Sequence, residues 1–198
     1  MTRTSSLKWA GAAFGFCLIA AAGAVGPANG SGTPSAVRTE VVASQPCWVI
    51  ENGDVRLAVT RLGAQMAPVT FYRGGDRAVE PYYISPWQGE GLKLDPPVLI
   101  PLRGDFFCLP FGSNGAPYEG MAFPPHGEPA GSPWTAVSSA RTGAVTTLTL
   151  ELKTRIPVGK VTKTIRLVDG QNAVYTRERL EGYSLKTSIG RFSRIARV

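Results

Sequence analysis

TTLTLELK, residues 146–153, alternates Leu148, Leu150 and Leu152 with Thr147, Thr149 and Glu151. A period of two puts the leucines on one face of an extended chain and the polar residues on the other, which is the pattern of a half-buried strand. KVTKTIRLV (160–168) and AVYTRERL (173–180) follow, divided by the turn pair Asp169-Gly170, so the three segments read as an antiparallel meander. The same grammar runs earlier in the chain. DVRLAVTRLG sets Val55, Leu57 and Val59 against Arg56, Ala58 and Thr60, with Asn52-Gly53 before it and Gly63 after it, and APVTFY runs into the turn Arg73-Gly74-Gly75-Asp76. No apolar helical stripe of useful length interrupts these strands. The sequence therefore predicts an all-β fold, an antiparallel β-sandwich.

Composition bounds the function. At 198 residues and 43% apolar, the chain has the make-up of one globular domain. The formal charge of +7 resembles a nucleic-acid signal until it is located: Arg3 and Lys8 lie at the N-terminus, and Lys186, Arg191, Arg194 and Arg197 lie after Gly182, both in segments without an acidic residue. These ends carry nearly all the excess, so no nucleic-acid partner is expected for the central domain.

The N-terminus reads as a signal peptide over 1–24: two basic residues, the apolar run WAGAAFGFCLIAAAGAVG, and Ala22-Gly23-Ala24 as a cleavage site. Its many Ala and Gly residues set it apart from a membrane anchor, and Phe14-Gly15-Phe16 lacks the small residue that lipidation at Cys17 requires. The expectation is export, to a periplasm or the outside, with no stable membrane insertion after cleavage. Residues 25–46 read as a flexible linker, 47–182 as the sandwich domain and 183–198 as a divergent basic tail without strand alternation. Cys47 and Cys108 would remain after cleavage, either as a bridge or as two free thiols. One histidine and no C-x-x-C leave almost no ligand set for a metal.

Residues 85–134 hold much of the proline and glycine and interrupt the strand pattern. Loops of this length on a rigid sheet commonly carry function. Here they can gather Trp87, Arg103, Asp105, His126 and Trp134. IPLRGDFFCLPFG (100–112), then PPHGEPAGSPW (124–134), then TKTIRLVDGQNAVYTRERLEG (162–182) resemble, in order and spacing, the N-terminal half of the aldose 1-epimerase, or galactose mutarotase-like, superfamily. The resemblance spans about Trp48 to Gly182 and rests on Arg103-Gly104, the turn from Cys108 to Gly112, His126-Gly127 and Trp134.

The resemblance implies a galactose mutarotase-like supersandwich that interconverts the anomers of a free monosaccharide. One group takes the proton of the C1 hydroxyl while another protonates the ring oxygen, and no metal or organic cofactor is needed. It implies His126 as the acid or base at the ring oxygen and Arg103 as a contact to sugar hydroxyls or a phosphate. Trp87 or Trp134 could cover the apolar face of a pyranose; Asp105 and Glu128 could bind a hydroxyl or polarise His126. Each has a plainer alternative. Arg103 can fix a loop through carbonyls, Asp105 can pair with Arg103 or cap a turn, Glu128 can face solvent, and both tryptophans can be core. The family continues beyond the position of Gly182 with a second histidine and a glutamate base. This chain instead ends in YSLKTSIGRFSRIARV, so the sandwich is expected to be incomplete. The functional expectations are a mutarotase-like isomerase, a noncatalytic carbohydrate-binding sandwich, or an inactive truncated remnant.

Overall fold

The computed structural model describes residues 37–112, 115–183 and 192–197. The expected signal segment, the first part of the expected linker, and residues 184–191 and 198 of the expected tail lie outside the described residues. Two antiparallel meanders make up the fold. The first is four-stranded: β1 (Val37–Val42), β2 (Gln45–Glu51), β3 (Arg56–Thr60) and β4 (Met66–Thr70), in sequence order. The second is five-stranded: β5 (Thr135–Thr142), β6 (Val145–Arg155), β7 (Val158–Val168), β8 (Ala173–Glu181) and β9 (Phe192–Arg197). The expected three-strand meander is β6, β7 and β8, flanked by one strand on each side.

Alternation builds the core. Trp48, Ile50, Leu57, Val59 and Val69 of the first sheet join Leu148, Leu150, Val161, Ile165 and Leu180 of the second in one buried cluster, so the sheets pack as a sandwich with apolar faces inward. β3 departs from the half-buried expectation. Ala58, on its other face, is also fully buried, in a small second cluster with Cys47 and Val49.

Three sequence readings change. The second part of the expected linker, 37–46, is strand and turn: β1 pairs with β2 from Val37↔Ile50 to Val42↔Gln45. Its two-residue turn, Ala43 and Ser44, has φ of 45° and 64°, the twist that hairpins favour. The Gly- and Ser-rich stretch before it hid a strand whose polar residues are used: Arg38 pairs with Glu40 and, at 2.5 Å, with Glu51. β5 gave no burial signal because every residue in it is exposed. The expected tail begins with core, since Tyr183 is buried, its hydroxyl 2.5 Å from that of Thr154 and its ring where a Cβ on Gly159 would stand 2.6 Å away. Burial pushes the Tyr183 hydroxyl above the usual tyrosine range. Further along the tail, β9 pairs with β8 from Glu178↔Phe192 to Ala173↔Arg197.

Two inward positions on the second sheet carry charge. Lys163 and Glu178 are register partners on β7 and β8 and both are fully buried. The Lys163 ammonium lies 3.9 Å from Glu178 Oε1 and donates to the Ala64 carbonyl across the sandwich at 3.0 Å. This cross-sheet bond ties the β3–β4 turn to the second sheet.

Candidate functional site

The segment between the sheets is mostly loop, braced by a 3₁₀ turn at Pro97–Leu99, a short helix α1 (Glu128–Gly131) and single bridges such as Ile84↔Arg103, Met66↔Asp105 and Leu109↔Gly127. Two glycines of the motifs exist for close approach. Gly104 has φ +47° and a Cβ there would meet the Met66 carbonyl oxygen at 1.9 Å; Gly127 has φ +75° and a Cβ would meet that of Leu109 at 1.8 Å. Only glycine combines that left-handed backbone with so near a neighbour.

Arg103 is 2% exposed, and its five N–H donors are matched by five acceptors. Nε donates to the Pro101 carbonyl (2.9 Å), Nη1 to those of Val42 (3.0 Å) and Ala67 (3.3 Å), and Nη2 to that of Ala43 (2.9 Å) and to Gln88 Oε1 (3.0 Å). Burial pulls its pKa down from the usual arginine value. The arrangement is that of a loop-fixing arginine, and a sugar or phosphate would have to displace one of these bonds to reach the guanidinium. Gln65 completes the knot. Its Oε1 accepts from the Arg103 amide (2.8 Å), and its Nε2 donates to the Val98 and Ala130 carbonyls at 3.2 and 3.1 Å.

Arg103 and Trp87 are brought together. Both line a cleft of about 530 Å³ with Tyr82, Tyr83, Leu102 and Gly104. Trp87 also borders a second cleft of about 280 Å³ with Gln88, Leu92 and Ile100. Its indole is half-buried and fixed, Nε1 donating to the Leu99 carbonyl at 3.0 Å. Asp105 is half-buried, on the segment that leaves the cleft.

His126 lines neither of these clefts. Its backbone, at φ +65°, is held on both sides: its N–H donates to the Gly112 carbonyl (2.7 Å) and its carbonyl accepts from Leu109 (3.2 Å). The half-buried imidazole has Phe106 and Phe111 edge-on to it, at centroid distances of 5.7 and 5.8 Å, and Nδ1 stands 3.7 Å from Cys108 Sγ.

The remaining two residues face elsewhere. Glu128 neither faces solvent nor turns to His126; its buried carboxylate accepts from the Arg155 and Ile156 amides (2.7 and 2.8 Å) and from Arg155 Nε (3.3 Å), fixing the β6–β7 turn. Trp134 is 4% exposed, a member of the main core, and its Nε1 donates to the Pro129 carbonyl at 2.9 Å. Sequence reasoning missed Gln65 and the Cys108–His126 pair. A lone amide within LGAQMAPV was the available signal for the first; for the second, the two motifs were read in order along the chain and not as neighbours.

No family model matches this sequence, and no curated protein does. Similarity lies in the fold. YeaD from Salmonella typhimurium, described as a candidate mutarotase, superposes with a TM-score of 0.53 at 18% identity, over 76% of this chain and 48% of that one. HI1317 superposes with a TM-score of 0.52 at 15% identity, over 78% of this chain and 51% of that one. The chain spans about half the length of the solved structures it matches. The sandwich thus shares its fold with these two structures over the part that superposes.

Proposed function

We propose that this chain is a carbohydrate-binding protein of mutarotase-like fold, which seats the apolar face of a monosaccharide on the Trp87 indole. One observation carries the reading. Trp87 is the expected site residue that is anchored by its N–H yet borders open clefts, with two tyrosines on the same wall. A rigid aromatic face with polar groups around it suits a pyranose, whose C–H bonds present an apolar patch amid hydroxyls. Titration calorimetry with glucose and galactose tests it. Trp87→Ala should weaken binding about tenfold, the size of one aromatic contact with its buried area. Equal affinity in the variant would remove the stacking role.

A second reading, anomer interconversion, draws on the rigidly held, half-buried His126. Ring opening needs a proton donor at the ring oxygen and an acceptor at the C1 hydroxyl, and imidazole suits either task near neutral pH. Polarimetry of freshly dissolved α-glucose and α-galactose measures it. Where the chain accelerates the relaxation, His126→Asn should reduce that acceleration about a hundredfold while leaving sugar affinity nearly unchanged. Undiminished acceleration in the variant would sink the role of His126.

A further inference from the structure

The pairing of Cys108 with His126 is a piece of chemistry that sugar binding does not use. Three contacts fix it: the Leu109↔Gly127 bridge and the two bonds from His126 to Leu109 and Gly112 hold residues 108–112 alongside 126–127. Cys108 is half-buried and takes part in no disulfide. The same protein carries a thiol of the opposite kind. Cys47 is fully buried, its Sγ–H donates to the Gln45 carbonyl at 3.3 Å, and burial pushes its pKa up. A buried thiol so placed is inert, whereas a part-exposed thiol beside a base is the arrangement of reactive cysteines.

We propose that Cys108 is a modification site that forms a mixed disulfide with small-molecule disulfides, with His126 as the base. In the neutral imidazole with its proton on Nε2, Nδ1 is free to accept. The Cys108 S–H bond breaks and its proton moves to Nδ1. The thiolate then attacks one sulfur of the disulfide, a new S–S bond forms, the old one breaks, and the departing sulfur leaves with the electron pair and is protonated by the imidazolium or water. Cys108 is oxidised as the released half is reduced, so the disulfide is the only oxidant required. Of the charged side chains in the two motifs, those of Arg103 and Glu128 are turned to other partners. Asp105 lies on the same segment as Cys108.

The probe is glutathione disulfide at pH 7, with each cysteine followed by peptide mass spectrometry in the full chain. Cys108 should react about tenfold faster in the folded chain than in the same chain unfolded in urea, because an ordinary thiol is only a few per cent ionised at that pH. Cys47 should be protected in the folded state and should react in urea. A Cys108 rate no faster folded than unfolded would overturn the proposal without recourse to any variant. His126→Asn, chosen because asparagine tolerates positive φ, should bring the folded rate down to the unfolded one. A folded His126→Asn protein with the wild-type rate would equally overturn it.

Discussion

Replacing Gly127 by alanine should destabilise the protein by about 2–5 kcal/mol, read as a lower urea midpoint at unchanged slope. Two costs add. The backbone there has φ +75°, and holding an L-residue in the left-handed region costs roughly 1–2 kcal/mol. The new Cβ would also stand 1.8 Å from the Leu109 carbonyl oxygen and 2.3 Å from its carbon. Neither atom belongs to a side chain that can swing away, so the bridged segments must part, at an overpacking cost of roughly 1–3 kcal/mol. Gly170→Ala is the matched control, with φ +71° and nothing within 4 Å of the added Cβ. It should lose only about 1 kcal/mol. Equal losses in the two variants would show that the close approach is not what selects glycine before Glu128.

Lys163→Met should cost about as much, roughly 3–5 kcal/mol, for an electrostatic reason. The substitution keeps the length and apolar character of the stem but removes the countercharge from a carboxylate with no exposed surface. It also removes the donor that the Ala64 carbonyl accepts from at 3.0 Å. The double variant Lys163→Met/Glu178→Leu should regain most of the loss, because it removes the buried carboxylate together with the ammonium and puts an apolar pair of similar volume in their place. Chemical denaturation of the three variants forms the cycle. A double variant as unstable as the single one would show that the pair is needed for more than its own neutralisation.

Legibility followed the strength of one-face burial. β6 was readable because Leu148, Leu150 and Leu152 sit every second residue with polar neighbours between, and β7 and β8 followed as two further runs divided by Asp169-Gly170. β5 was not, since all eight of its residues are exposed and an edge strand held by backbone bonds leaves no apolar period. β1 was masked by the Gly- and Ser-rich stretch before it. Lys163 and Glu178 occupy inward slots of strands whose register was legible, so the period alone pointed them into the core, where charges are rare.

The site was legible in its parts more than in its assembly. His126, Trp87 and Arg103 stood out by residue type and by the family resemblance. Whether an arginine meets a ligand or a carbonyl depends on where residues 42, 43 and 67 come to lie, and no local pattern carries that. Glu128 shows the same limit, because the amides it accepts from belong to a turn between strands far along the chain. The glycines after Arg103 and His126 could be located in the sequence, and their reason appears only when Met66 and Leu109 are seen beside them.

The Arg103 knot also sets an order of events. Its acceptors belong to the β1–β2 turn, to β4 and to the two arms of the Trp87 loop, so the guanidinium can leave water only after all of these have met. Contacts spanning some sixty residues form late, since the intervening chain must first be closed. Swinging the Trp87 loop away from the native state means breaking the bonds to Pro101 and Gln88 and leaving a buried guanidinium short of two of its acceptors.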